Sequence, residues 1–162
     1  MTVRNLNYLT APHTVALIGA SARSGSVGST VMHNLLTGDF AGTIQLVNPK
    51  YREIGGRPCV ASIAELGEAP DMAVIATPPQ TIPRLIEELG REGTRAAIVL
   101  TAGLGDLKEQ MLAASQPYCL RILGPNCIGL MAPTIGLNAS FASRAPLSGD
   151  LAFVSQSGAL IT

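Results

Sequence analysis

The chain has 162 residues, 47% of them hydrophobic and only 14% charged, with eleven Lys+Arg balancing eleven Asp+Glu. This length suits one domain with a core of its own, while zero net charge argues against a nucleic-acid partner and the apolar content against disorder. No apolar run approaches a membrane span, the start lacks a signal-peptide core, and three widely spaced cysteines fit neither a disulfide framework nor a zinc site, so a reduced, cytoplasmic setting is expected.

Residues 14–19 (TVALIG) form a short apolar run ending in glycine and predict the first strand. Val27, Val31 and Leu35 fall at four-residue steps and predict a helix over about 27–36, with Gly38 as its left-handed cap. Residues 43–48 predict a second strand, closed by Pro49. Gly55, Gly56 and Pro58 mark a turn, and Ser62 is expected to cap a short helix at 63–66. Residues 72–77 predict a third strand, stopped by Pro78 and Pro79. Ile82, Leu85, Ile86 and Leu89 then give the stripe of a helix lying on a sheet. A fourth strand is expected at 96–101, a helix at 106–115 with Asp106 as N-cap, and a fifth strand at 118–123.

Continuous apolar runs of this kind belong to strands covered on both faces. Their alternation with helices predicts right-handed crossovers and an α/β, doubly wound parallel sheet, Rossmann-like, in the strand order 3-2-1-4-5. Residues 130–149 read as a linker, 150–155 as a fresh strand and 156–162 as a turn entering a helix. The expected division is one domain over 1–145 and the beginning of a second α/β domain over 146–162, the chain being the front piece of a longer protein. The shortage of charge fits a surface partly covered by another domain.

The richest chemistry lies in residues 19–28 (GASARSGSVG), between the first strand and the first helix. Backbone N–H groups and the positive helix end converge there, and small residues such as Gly19, Ser21, Ala22, Ser24 and Gly25 let a phosphate come close. The spacing meets the dinucleotide pattern G-x-G-x-x-G only in part. NAD-binding domains generally carry Asp or Glu at the end of the second strand, to bind ribose hydroxyls. This chain has Asn48-Pro49-Lys50, with Arg52 just beyond. A cation there suits a ligand with an extra phosphate on its ribose, either NADP or coenzyme A (CoA).

The other strand ends, Thr77-Pro78-Pro79, Thr101-Ala102-Gly103 and Gly124-Pro125-Asn126-Cys127, should line the same crevice. They offer hydroxyl, amide and backbone groups, which suit binding better than acid–base work. No catalytic residue is expected. His13 precedes the first strand, His33 lies in the first helix, and Cys127 has no histidine partner near a strand end. No cluster resembles a metal site. Residues 155–158 (SQSG) read as a second anion nest, serving a site completed elsewhere.

Taken together and in order, residues 15–21, 47–50, 78–79, 101–103, 124–127 and 154–158 resemble the N-terminal CoA-binding domain of the nucleoside-diphosphate-forming acyl-CoA synthetases, the superfamily of the succinyl-CoA synthetase alpha subunit. The resemblance implies that Ser21, Ala22, Arg23 and Ser24 wrap the CoA phosphates and that Lys50 reaches a phosphate of the adenosine end. It also implies that Pro78, Pro79, Thr101, Ala102 and Gly103 line the nucleotide and pantetheine path, with Asn126 and Cys127 near the thiol. The family joins an acid to CoA at the expense of a nucleoside triphosphate, through an acyl phosphate and a phosphorylated histidine in its second domain. No position here matches that histidine, so this chain is expected to bind CoA or acyl-CoA without synthesising it. ATP, ADP and magnesium would act through other parts of the parent, including an ATP-grasp portion.

Residues 9–21 look most like large single-chain members, some of which carry a GNAT acetyltransferase domain. An alternative is therefore an acyl-CoA-sensing regulatory domain of a GNAT-type protein lysine acetyltransferase. A third reading is an NADP-binding oxidoreductase domain.

Overall fold

The computed structural model describes residues 3–155 together with Ser157 and Gly158. A short helix, α1 (Asn7–Thr10), leads into β1 (Thr14–Ile18), α2 (Val27–Thr37) and β2 (Thr43–Val47). A tight hairpin, β3 (Glu53–Ile54) and β4 (Arg57–Val60), turns through Gly55 and Gly56, both left-handed at φ 59° and 77°. After a 3₁₀ turn at Ile63–Glu65 come β5 (Met72–Ile75), α3 (Ile82–Glu92), β6 (Ala96–Val99), α4 (Leu107–Ser115) and β7 (Arg121–Leu123). A final hairpin pairs β8 (Gly129–Ala132) with β9 (Leu137–Ser140).

The main sheet has the order β3-β4-β2-β1-β5-β6-β7, parallel throughout except for β3. All five expected strands are present, but β5 pairs with β1 and not with β2, as the expected order required. β4 takes the third place instead, pairing with β2 through Leu46–Cys59 and Val47–Val60. Counted with β4, the parallel strands run 3-2-1-4-5-6, the doubly wound order. Residues 57–60 read as a turn because they contain Arg and Pro and only Cys59 is buried. Such a short strand, next to the sheet edge, carries almost no apolar signal.

Side chains alternate between two cores. Val15, Leu17, Met72, Val74 and Ile98 face α1, α2 and the β8–β9 hairpin, through Leu9, Val31, Leu35, Leu137 and Ala139. Ile18, Ala73, Ile75, Ala97 and Val99 face α3 and α4, through Ile82, Ile86, Leu89 and Met111. Each large aliphatic side chain fully buried in this way stabilises the fold by about 1.5–3 kcal/mol.

Five local expectations are corrected or refined. Gly38 is extended (φ −74°, ψ 161°) and not left-handed. It is needed because a Cβ would run into the Gly136 carbonyl oxygen. Asp106 and Ser62 stand at the expected N-caps, of α4 and of the 3₁₀ turn, but neither side chain makes the capping bond; Ser62 donates instead to Glu65 Oε1 at 3.1 Å. Residues 129–140 are not linker: the hairpin packs on α2, where the Asn34 amide donates to the carbonyls of Ser140 (2.9 Å) and Ala142 (3.0 Å). The strand expected at 150–155 pairs with nothing among the described residues, and Leu151 and Val154 are 93% and 95% exposed. The helix expected within 156–162 lies almost wholly outside the described residues.

Candidate functional site

Strand order reverses between β1 and β5, so the chain leaves β1 for α2 on one face and β5 for α3 on the other. The diverging loops open a crevice beyond the carboxyl ends of the strands, where ligands bind in open α/β sheets. Here it measures about 890 Å³. Of the residues singled out in the sequence, Gly19, Ser21, Arg23, Asn48, Lys50, Thr77 and Pro78 line it.

Its floor depends on two glycines. Gly19 has φ 94°, and a Cβ there would lie 2.7 Å from the Ala76 carbonyl oxygen. A Cβ on Gly28 would drive into the Gly19 carbonyl oxygen, so only glycine lets the start of α2 settle onto the loop. Ser26 caps α2, its Oγ accepting the Ser29 N–H (3.2 Å) and donating to the Arg23 carbonyl (2.7 Å). Ser21 Oγ accepts the Arg23 N–H at 3.1 Å. Ala22, Arg23, Ser24 and Gly25 are exposed above this frame. The positive end of α2 and the small loop residues make an anion cradle.

The end of β2 is tied to that loop. Asn48 Nδ2 donates to the Ala20 carbonyl at 2.7 Å, while its Oδ1 accepts the Lys50 N–H at 2.9 Å. Lys50 thereby stands exposed on the rim. With Arg23 and Arg84 it gives the crevice three cations against one carboxylate, Glu88. This donor set fits a ligand with several phosphates, and the absence of an acid at the end of β2 suits a phosphorylated ribose.

Thr101, Ala102, Gly103, Asn126 and Cys127 continue the same edge beyond the crevice. Thr101 Oγ1 donates to the Thr77 carbonyl (2.7 Å), and the Asn126 N–H donates to the Thr101 carbonyl (3.0 Å). Ala102 and Gly103 are exposed after β6, and Pro79 begins the 3₁₀ turn that opens α3. Cys127 is half-buried, with Sγ 3.5 Å from the Val99 carbonyl oxygen. Burial pushes its thiol up, which keeps it neutral and weakly nucleophilic.

Tyr51, Ser62, Gln80, Thr81, Arg84 and Glu88, which the sequence does not mark as site residues, also line the crevice. The signal was present in part: Gln80, Arg84 and Glu88 recur at four-residue steps beside the apolar stripe of α3. Both histidines lie elsewhere. His13 precedes β1, its N–H bonded to Asp71 Oδ2 at 2.7 Å, and lines a separate cavity of about 530 Å³ with Asp39 and Phe40. His33 is exposed on α2. Among the described residues, no group of three or more His, Cys, Asp or Glu could hold a metal ion, and no helix is long and apolar enough to cross a membrane.

A doubly wound sheet with an anion cradle at its switch point defines a nucleotide-type binding module. The chain belongs to the CoA binding domain family, whose model matches residues 13–133. It is 41% identical over 157 residues to acetate–CoA ligase (ADP-forming) I of Archaeoglobus fulgidus, covering 93% of this chain and 23% of that protein. It is 40% identical over 161 residues to acetate–CoA ligase (ADP-forming) of Methanocaldococcus jannaschii, covering 96% and 23%. Among solved structures, a dinucleotide forming acetyl-coenzyme A synthetase 1 from Ca. Korarchaeum cryptofilum, in complex with phosphate and ADP, matches with a TM-score of 0.89. The identity there is 36%, over 96% of this chain and 34% of that one. The chain thus spans about a quarter of the curated relatives' length. These relatives are ligases, and the acetyltransferase-fused parent considered above draws no support from them.

Proposed function

We propose that this chain is the CoA-holding part of an ADP-forming acid–CoA ligase, whose whole interconverts acyl-CoA, ADP and phosphate with acid, CoA and ATP. The observation that carries this is the Gly19–Gly28 cradle facing Lys50 across the switch-point crevice. The CoA pyrophosphate would sit over Gly19, Ser21, Ala22, Arg23, Ser24 and Gly25, at the positive end of α2. Lys50, oriented by Asn48, would bind a phosphate of the adenosine end. Pantetheine would run past Thr77, Pro78 and Pro79 and over Thr101, Ala102 and Gly103, placing the thiol near Asn126 and Cys127. CoA supplies the sulfur nucleophile when bound; the chain's own groups hold and orient it.

Acyl and phosphoryl transfer need donors and a nucleophile at the thiol end. Neither histidine of this chain lines the crevice. The phosphorylated histidine, the ATP-grasp site and any magnesium therefore belong to other parts of the protein. Residues 1–145 serve as the CoA-binding unit, which the β8–β9 hairpin closes at Ala142. Residues from 146 onward, with Leu147, Leu151 and Val154 exposed, would begin a second domain. Three free cysteines support a reducing, cytoplasmic setting.

A melting scan with CoA, NADP and NAD side by side tests this reading. CoA at about 100 times its dissociation constant adds about 2.7 kcal/mol of stability, or roughly 5–10 °C for a chain of this size. Stabilisation by NADP alone would overturn it.

A further inference from the structure

On the α3 wall of the crevice, phosphate binding accounts for Arg84 but not for Glu88. Glu88 is half-buried there and is the one carboxylate among the described lining residues. An acid inside a cavity for several phosphates raises the electrostatic cost of binding, unless the ligand donates to it. Among the described residues, no hydrogen bond or ion pair engages the Glu88 carboxylate. Its surroundings also differ from those of the glycine loop. Leu85 lies three residues earlier on α3, and Ile63, on the 3₁₀ turn packed against α3, belongs to the same apolar cluster. This end of the crevice therefore combines apolar surface with a lone, charged acceptor.

Only one part of CoA fits that combination. Its phosphates match the glycine loop and Lys50, and its pantetheine arm leaves past Thr77 toward Thr101 and Asn126. The adenine remains: two flat apolar faces and an exocyclic amine carrying two N–H donors. Resting on the CoA reading above, we propose that Glu88 is a specificity-determining residue that accepts a hydrogen bond from this amine, with the ring against Ile63 and Leu85. The site would then select an aminopurine. Hypoxanthine, which has a carbonyl at that position, would set an acceptor against the carboxylate.

The test titrates the 162-residue chain calorimetrically with CoA and with deaminated CoA, whose base is hypoxanthine. Wild type, Glu88→Ala and Glu88→Gln are compared, after unliganded melting shows each variant folded like wild type. A charge-assisted hydrogen bond in a half-buried site gives the wild type a preference for CoA of about tenfold. Glu88→Ala should weaken CoA by a similar factor and leave the deaminated ligand bound as tightly or more tightly, since the carboxylate facing its carbonyl is gone. Glu88→Gln should close the gap, because its amide donates to the carbonyl as readily as it accepts from the amine. Equal wild-type affinity for the two ligands, or a gap that survives both substitutions, would overturn the inference. Failure of the wild type to bind CoA at all would remove the CoA reading, and this inference with it.

Discussion

The side-chain amide of Asn48, at the end of β2, donates to the carbonyl oxygen of Ala20 in the glycine loop at 2.7 Å. This bond joins the two loops that would hold opposite ends of one ligand, and the same side chain accepts the Lys50 N–H at 2.9 Å. Asn48 is a positioning residue, with both halves of its amide in use.

Asn48→Ala should therefore weaken CoA by about fivefold, the worth of one net hydrogen bond of roughly 1 kcal/mol. Asn48→Asp should be worse. Its carboxylate cannot donate to Ala20, and it adds negative charge beside Lys50. Calorimetric titration of both variants checks the order; tighter binding by Asn48→Asp would contradict the role.

Lys50→Ala should weaken CoA by about 10- to 100-fold, the range for a charge-assisted bond to phosphate. Dephospho-CoA lacks the ribose phosphate, so it should lose much less on the same substitution. Unchanged CoA affinity would return Lys50 to an ordinary solvated turn residue.

Gly28→Ala should cost about 1–3 kcal/mol by overpacking, or roughly 2–10 °C in melting temperature. A Cβ there meets the Gly19 backbone, which cannot move without disturbing the β1–β5 contact. Gly67→Ala is the control: it has open space and an ordinary φ, and should leave the melting temperature within a degree or two. Equal effects of the two changes would contradict the close-packed cradle.

Burial raises the thiols of both Cys59 and Cys127. A folded pKa above the unfolded value gives stability that is complete below the ordinary thiol range, about 8.5, and is lost as pH rises through the folded value. Melting temperature should therefore fall above about pH 8.5, and less so in Cys127→Ser. At neutral pH iodoacetamide should label exposed Cys119 first. Rapid labelling of Cys127 would contradict its burial.

Most of the sheet was legible because five of its strands are continuous apolar runs, and the stripe Ile82, Ile86, Leu89 marks α3 without ambiguity. The glycine loop was legible for a different reason: small residues between a strand and a helix have few other uses. What escaped was stabilised by partners distant in sequence. β4 exists because β2 offers it a parallel edge, though Arg57 and Pro58 give no strand signal. β8–β9 exists because α2 supplies Val31, Leu35 and Asn34; Asn138, Ala139 and Ser140 are too small and polar to announce a buried strand. The misplaced third strand had the same origin, since the order could be read correctly only with β4 in view. At the site, Arg84 and Glu88 stayed hidden because they flank the apolar stripe of α3, where charged side chains ordinarily face solvent.

The central claim is that CoA occupies the switch-point crevice, and backbone amide spectra recorded during a CoA titration test it most directly. The account predicts that the amides of Gly19 to Ser26, of Asn48, Lys50 and Tyr51, and of Thr77 shift together along one saturable curve. Those of Phe40, Gly42 and Gly136, around the cavity at the other end of the sheet, should stay in place. Saturable shifts confined to that second cavity, or no shift at millimolar CoA, would contradict it.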